Sequence, residues 1–213
     1  MKCDKKMMTL YAVTDRAWTG RQSLYEQVES ALKGGVTCVQ LREKNLDQAA
    51  FLAEAREIRA LCGAYGVPFL INDNVDVALQ CGADGVHVGQ ADMAAGDVRR
   101  AVGSGMIVGV SAHSVAQALE AVRSGADYLG VGAVFATATK ADASVLSRET
   151  LQEICRAVDV PVVAIGGINR DNLPELAGSG VDGVALVSAI FGAQDIEAAC
   201  RSLRRLSEQM VNP

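Results

Sequence analysis

Residues 81–89 read CGADGVHVG, and residues 124–132 repeat the pattern as SGADYLGVG. Two looser copies are KGGVTCVQL at residues 33–41 and SGVDGVALV at residues 179–187. In each copy a glycine closes a helix, because glycine readily takes the left-handed conformation of a helix C-cap, and a β-branched run follows at once. A helix-to-strand connection this short is typical of repeated βα units.

The rest of the chain continues the alternation of strands and helices. Between the predicted strands, apolar residues recur at helical spacing. The eight strands are predicted near Thr9–Thr14, Thr37–Arg42, Pro68–Asn72, Gly85–Val88, Ile107–Val110, Tyr128–Val131, Pro161–Ile165 and Gly183–Val187. Eight βα units predict an α/β fold, a single (β/α)8 TIM barrel, with an open doubly wound sheet as the structural alternative.

Length and composition favour one domain. The chain has 213 residues, half of them apolar and only 4% aromatic, so its core must be built from Val, Ile, Leu and Ala, as in parallel sheets. No linker or low-complexity segment divides it. We expect one domain over residues 1–213, with residues 1–6 as a loose N-terminal tail.

Charge and cysteine content exclude several classes of partner. A net charge of −5 gives no general attraction for nucleic acid or an anionic membrane, and no apolar run is long enough to span a bilayer. The six cysteines form no C-x-x-C pair, which indicates reduced, buried thiols. We expect a cytoplasmic protein that binds small molecules, and the sequence leaves a homo-oligomer open.

The stretch VQLREK, residues 39–44, places polar side chains inside the predicted barrel. Val39 and Leu41 alternate with Gln40 and Arg42, and the outer face of a barrel strand is covered by helices. Gln40 and Arg42 therefore point inward, and Lys44 follows with the same parity. Such cations indicate an anion site, the alternative being a solvated charge run.

Acidic residues follow the third and fourth strands. Asn72 and Asp73 end the third strand in LINDNVD, where a helix N-cap is the alternative explanation for these residues taken alone. Asp92 follows the fourth strand in HVGQAD. Because Mg²⁺ takes one or two carboxylates and completes its shell with water and substrate phosphate, the two acids together favour a Mg²⁺ site.

The later strand ends carry further candidates for anion binding. A loop poor in helix formers follows the sixth strand, and its hydroxyls and lysine could hold an anion, a flexible polar loop being the alternative. Glycines follow the seventh strand in AIGGIN, and in this fold the loops after strands seven and eight commonly bind phosphate through backbone N–H groups. Ser111 lacks a nucleophile-elbow context, and His87 and His113 favour structural roles. The candidates in these loops are Thr137, Thr139, Lys140, Gly167, Val187 and Ser188.

Taken in order, these motifs resemble the thiamine-phosphate synthase (thiamine-phosphate pyrophosphorylase) family, from YAVTD at residues 11–15 through VSAIF at residues 187–191. The motifs are VQLREK, INDN, GVHVGQAD, GVSAHS, VGAVFATATKADA, AIGGI and VSAI. The resemblance implies a TIM-barrel transferase that joins a hydroxymethylpyrimidine diphosphate to a thiazole phosphate and releases diphosphate, with one Mg²⁺ per subunit. This sequence departs from the family pattern at Ala133 and Ala136, because the loop after the sixth strand more often has prolines at these two positions.

The resemblance also implies roles for individual residues. Asp73 and Asp92 would hold Mg²⁺. The pyrimidine diphosphate would contact Gln40, Arg42, Lys44 and Asn72, and its diphosphate side would also be reached by Ser111 and Lys140. The thiazole phosphate would contact Thr137, Thr139, Gly167, Val187 and Ser188. Arg42, Lys44, Lys140 and Ser111 are the candidate catalytic residues.

Three other functions stay open at this point. A thiazole tautomerase shares the fold but typically weakens the acidic and T-x-T-K motifs, which are intact here. A barrel could also bind thiamine phosphates without turnover. An aldose-phosphate epimerase or lyase would need a Schiff-base lysine or a paired acid and base, whereas Lys44 and Lys140 both lie in anion-binding contexts.

Overall fold

Eight parallel strands close into a barrel in the computed structural model, which describes residues 3–90, 92–137 and 145–212. The strands pair in sequence order, and β8 pairs with β1, so the sheet has no edge. This confirms the predicted (β/α)8 barrel and overturns the open-sheet alternative. The strands are β1 (Leu10–Val13), β2 (Cys38–Leu41), β3 (Phe69–Asn72), β4 (Gly85–Val88), β5 (Ile107–Ala112), β6 (Tyr128–Gly132), β7 (Val162–Ile165) and β8 (Gly183–Leu186).

Helices cover the outside of the barrel, and most begin at a residue whose side chain caps the first turn. Ser23, for example, accepts from the backbone N–H of Glu26 while the Glu26 carboxylate accepts from the Ser23 N–H. Between β7 and β8 the connection is a short 3₁₀ helix, Leu173–Leu176, with Pro174 in its first turn. The α-helices are α1 (Leu24–Lys33), α2 (Gln48–Ala64), α3 (Val75–Cys81), α4 (Ala95–Val102), α5 (Val115–Arg123), α6 (Arg148–Ala157), α7 (Ser188–Phe191) and α8 (Ile196–Val211).

Alternation along the strands divides the apolar residues between two cores. Val39 and Leu41 belong to the large outer core between strands and helices, whereas Gln40 and Arg42 line a pocket inside the barrel. The predicted parity of β2 is therefore confirmed. The smaller inner core lies inside the barrel and includes Met7, Met8, Tyr11, Val13, Cys38, Leu70, Ile107, Tyr128, Val163 and Ala185. Of these, Tyr11, Val13, Val163 and Ala185 also line the pocket, which lies toward the carboxyl ends of the strands.

The amino end of the barrel is covered by the start of the chain. Asp4 caps a 3₁₀ helix, Lys5–Met8, whose Met7 and Met8 side chains are buried in the inner core. Cys3 packs against the same cluster. In the segment expected to be a loose tail, Cys3 therefore packs against the inner core, whereas Asp4, Lys5 and Lys6 are exposed.

The four helix-to-strand joints share a structural role at the amino end of the barrel. The Asp84, Asp127 and Asp182 carboxylates each accept from a backbone N–H of the preceding strand, at 2.8–2.9 Å. In the first copy the Thr37 hydroxyl accepts from Leu10 N at 2.8 Å instead. All four residues precede an even-numbered strand, so each joint fastens one βαβ unit of a fourfold repeat.

We expect Asp182→Ala to lower the free energy of unfolding by about 1–3 kcal/mol, because the buried Val162 N–H would lose its acceptor. Asp182→Asn should retain most of the stability, since its amide oxygen can still accept. Chemical denaturation measures both variants. Asp159, an exposed residue after α6, is the matched control; an equal loss in Asp159→Ala would contradict a specific role for Asp182.

All six cysteines are free thiols, of which Cys38, Cys62 and Cys200 are buried and the other three half-buried. Burial raises the pKa of the Cys62 and Cys200 thiols to about 12, so both are protonated near neutral pH. No helix in the described part of the chain is both long and apolar enough to cross a membrane.

Candidate active site

The carboxyl ends of the strands surround a cavity of about 610 Å³, a volume suited to two small ligands. Its lining brings together most of the site residues predicted from the sequence. These are Gln40, Arg42, Lys44, Asn72, Asp73, Asp92, Ser111, Thr137, Gly167, Val187 and Ser188. Thr139 and Lys140 lie outside the described residues.

Arg42 enters the cavity from the end of β2 and is anchored on both its backbone and its side chain. Its N–H donates to the buried Thr14 hydroxyl at 3.0 Å, and its guanidinium Nη1 pairs with Asp15 Oδ2 at 3.2 Å. The other Asp15 oxygen caps the 3₁₀ helix Arg16–Trp18 in the loop after β1. The guanidinium is thus oriented before any ligand arrives.

Lys44 lies in a loop that is braced by the Glu43 carboxylate. One Glu43 oxygen accepts from the Lys44 and Asn45 N–H groups at 2.7 Å each, and the other pairs with Arg16. The Lys44 ammonium lies 2.6 Å from Asp73 Oδ2. Lys44, which was predicted to bind an anion, therefore pairs here with Asp73, which was predicted to bind a metal ion.

Asp73 occupies a strained turn at the end of β3. Its φ of 62° lies in the left-handed region, where Asp is more common than most residues, and its N–H donates to His87 O at 2.8 Å. The cap of α3 is Asn74, whose side chain accepts from Val77 N. The N-cap explanation for Asn72 and Asp73 is therefore wrong, and both side chains line the cavity.

Asp92 brings a second carboxylate beside Asp73. Asp92 Oδ2 accepts from Gly89 N at 2.7 Å, and a Cβ at Gly89 would lie only 2.8 Å from that oxygen. Burial raises the pKa of the Asp73 carboxyl; the Asp92 carboxyl acts in the same direction and Lys44 opposes it. Two such carboxylates repel each other unless a cation lies between or beside them.

A chain of hydrogen bonds crosses the barrel below the cavity. Gln40 Nε2 donates to the Tyr11 hydroxyl at 2.6 Å, and Tyr11 lies 2.8 Å from the Tyr128 hydroxyl. His87 Nδ1 lies 2.8 Å from the same Tyr128 oxygen, and His87 Nε2 lies 3.0 Å from Ser111 Oγ. Burial lowers the pKa of His87 to about 4, so its imidazole is neutral at pH 7.

Most residues of this hydrogen-bond chain were not predicted from the sequence. Tyr11 and Tyr128 lie in strands that are otherwise apolar and small, so they read as core. His87 could have been assigned an inward direction by parity, because Val86 and Val88 face the outer core. His113 also lines the cavity, and its Nδ1 lies 2.5 Å from Gly132 O.

The side of the cavity formed by β7 and β8 consists mainly of backbone and small side chains. Gly166 and Gly167 have φ values of 98° and 67°, and a Cβ on Gly167 would lie 2.3 Å from Ala136 O. The loop after β6 therefore packs directly against this glycine turn. Val187 and Ser188 close the wall at the start of α7.

A closed parallel barrel with a polar cavity at the carboxyl ends of its strands places the chain among (β/α)8-barrel enzymes. The model of the family described as thiamine monophosphate synthase matches residues 10–190. The chain therefore belongs to the thiamine monophosphate synthase family.

Individual relatives agree with this assignment. The thiamine-phosphate synthase of Clostridium tetani is 48% identical over 195 residues, covering 92% of this chain and 93% of its own. That of Ruminiclostridium cellulolyticum is 49% identical and covers 96% of both chains. The solved structure of thiamine phosphate pyrophosphorylase from Pyrococcus furiosus superposes with a TM-score of 0.90 at 40% identity, covering 97% of this chain and 98% of the other.

Proposed function

We propose that this chain condenses 4-amino-2-methyl-5-hydroxymethylpyrimidine diphosphate with 4-methyl-5-(2-phosphoethyl)thiazole, giving thiamine phosphate and diphosphate. The family and the names of the relatives support this activity. The observation that carries it is one cavity in which Arg42 and Lys44 meet the carboxylates Asp73 and Asp92. That combination suits a diphosphate bound together with a divalent cation.

The diphosphate would lie at the ends of β2 to β5. Arg42 offers a planar fork of N–H donors, and Lys44 offers a mobile ammonium that would exchange its Asp73 partner for phosphate oxygen. Asn72 adds an amide, and Lys140, outside the described residues, is proposed to add a third cation. Gln40 and Ser111 would contact the pyrimidine end of the same substrate.

The two carboxylates fit a hard cation. Among the residues the structure describes, no three His, Cys, Asp or Glu side chains form a metal cluster. Mg²⁺ commonly takes only one or two carboxylates and fills its other positions with water and substrate phosphate, so Asp73 and Asp92 would suffice to hold it. When bound, Mg²⁺ would neutralise negative charge on the diphosphate.

The thiazole phosphate would bind on the opposite side of the cavity. The glycine turn at Gly167 exposes backbone close to the cavity, and Val187 and Ser188 lie beside it on the neighbouring strand end. Thr137 lines the same region, and Thr139 is proposed to join it from outside the described residues. This separation would place the thiazole nitrogen toward the pyrimidine methylene carbon.

In this reaction the main catalytic task of the protein would be to assist departure of the diphosphate leaving group. The methylene C–O bond breaks, its electron pair leaves with the diphosphate, and the aminopyrimidine delocalises the positive charge until the thiazole nitrogen forms the new C–N bond. Arg42, Lys44 and Lys140 would stabilise charge that grows on the diphosphate oxygens, which is where differential stabilisation raises the rate. No protein nucleophile takes part in this scheme.

The six free thiols support a cytoplasmic location, since reduced cysteines are typical of a reducing compartment. The substrates are small molecules, and we propose neither a nucleic-acid nor a membrane partner.

A direct assay separates this function from its rivals. With both substrates and Mg²⁺ present, we expect stoichiometric release of diphosphate and thiamine phosphate, measured by a coupled diphosphate assay and by chromatography. Omitting either substrate, or chelating Mg²⁺, should abolish the release. A tautomerase would alter a thiazole without releasing diphosphate, and a binding module would release nothing, so absence of turnover would reject the proposal.

A further inference from the structure

One direction of the hydrogen-bond chain below the cavity gives every N–H and O–H donor a nitrogen or oxygen acceptor. The Gln40 amide nitrogen can only donate, so the Tyr11 oxygen accepts from it. The Tyr11 proton then has the Tyr128 oxygen as its partner, and the Tyr128 proton has His87 Nδ1. In this direction His87 Nδ1 is unprotonated and accepts from Tyr128.

The same assignment of donors and acceptors also fixes the direction of the hydrogen bond between His87 and Ser111. A neutral imidazole with an unprotonated Nδ1 carries its proton on Nε2, which donates to Ser111 Oγ at 3.0 Å. In the opposite tautomer the Tyr11 hydrogen has only the Cys38 sulfur, a weak acceptor, as its partner, which makes that tautomer the less stable one. The Ser111 proton is thus directed away from His87, and the Ser111 side chain lines the cavity, so its hydroxyl can donate to a ligand there.

Burial and local sequence show that this arrangement is built into the barrel. Tyr11 and Tyr128 are 1% and 0% exposed. A Cβ on Gly109 would lie 2.1 Å from Tyr128 Cζ, and one on Gly130 would lie 3.1 Å from His87 Cε1. The glycines on β5 and β6 therefore make the space that the phenol and imidazole rings occupy.

We propose that Tyr11, Tyr128 and His87 are positioning residues that set the hydrogen-bond polarity of the cavity floor, making Ser111 a donor and Gln40 Oε1 an acceptor. This inference rests on the proposed function. A 4-aminopyrimidine presents an N–H donor beside a ring-nitrogen acceptor, which matches a floor with one acceptor and one donor. A 4-oxopyrimidine presents the reverse pattern at that edge, so the floor selects the amino substrate.

The first test determines the tautomer of His87 in the protein without any substrate. The chain has two histidines, so ¹⁵N-histidine NMR at pH 7 gives two sets of ring signals, which a His113→Gln variant assigns. We expect His87 to carry its proton on Nε2. A proton on Nδ1 would overturn the proposed direction whether or not the enzyme turns over.

The second test reads substrate selection. In Tyr128→Phe, His87 Nδ1 loses its donor, so the other tautomer becomes accessible and Ser111 can turn its proton toward the imidazole. We expect the preference in kcat/KM for the 4-amino over the 4-oxo pyrimidine diphosphate to fall about tenfold or more, with the KM for the thiazole phosphate unchanged. The His87 NMR signals should shift toward a tautomer mixture.

Ile107→Val is the matched control, because Ile107 lies in the same inner core and makes no side-chain hydrogen bond. It should leave the amino-to-oxo preference unchanged. An unchanged preference in Tyr128→Phe, or an equal shift in Ile107→Val, would overturn the inference. Absence of turnover by the unmodified enzyme would instead reject the proposed function, while the tautomer measurement would still test the polarity.

Discussion

Arg42→Gln is expected to lower kcat/KM for diphosphate release by about 10²- to 10³-fold, the loss typical of removing a donor that acts mainly in the transition state. The guanidinium lies at the end of β2, inside the cavity, and Asp15 holds it in one orientation. Its favourable interaction with the diphosphate grows as the C–O bond breaks. Steady-state assays at saturating Mg²⁺ measure the effect.

Two further variants sharpen the assignment of Arg42. Arg42→Lys keeps the charge but lacks the planar fork, so it should recover only part of the lost rate. Arg56→Gln makes the same change in charge at an exposed position of α2 and should leave kcat/KM unchanged. If Arg42→Gln stays within twofold of the unmodified enzyme, Arg42 does not act on the leaving group.

The strands of this barrel could be predicted from the sequence because its joints repeat. Each copy places a glycine before a β-branched run. Three copies also carry an aspartate that accepts a hydrogen bond from the preceding strand at the amino end of the barrel. Strand parity then placed Gln40 and Arg42 inside the barrel. Only backbone periodicity and the burial of one strand face were needed for these predictions.

The pairing of charges could not be predicted, because it depends on distances between loops. Asp15 and Lys44 lie on different loops from their partners Arg42 and Asp73, and no periodicity relates them. The N-cap of α3 shows a related limit. Asn72, Asp73 and Asn74 all suit a cap by residue type, and only the turn at Asp73 decides that Asn74 takes that role.

The hydrogen-bond chain on the cavity floor was missed for a different reason. A tyrosine in an apolar strand is ordinarily a core residue, and Tyr11 and Tyr128 are indeed packed in the inner core. Their hydroxyls acquire a directional role only because the closed barrel brings β1 and β6 within reach across its interior. Closure of the sheet, rather than any local motif, creates that contact.

Asp92→Asn is expected to lower kcat/KM at a fixed, moderate Mg²⁺ concentration by about 10²-fold or more, and to raise the Mg²⁺ concentration required for half-maximal activity. The substitution removes the charge and leaves the fold intact, because the amide Oδ1 of Asn can still accept from Gly89 N. Asp73→Asn should behave in the same way. Titrations of diphosphate release against Mg²⁺ measure both changes.

The double variant distinguishes a shared cation from two independent roles. If Asp73 and Asp92 hold one Mg²⁺, removing the second carboxylate should cost much less than removing the first, since the site is already lost. Asp97→Asn, at an exposed ion pair with Arg100 on α4, should change neither kcat/KM nor the Mg²⁺ requirement. An unaltered Mg²⁺ titration in Asp92→Asn would contradict a metal-binding role for Asp92, which would then act through hydrogen bonds that the variant keeps, such as the one from Gly89 N.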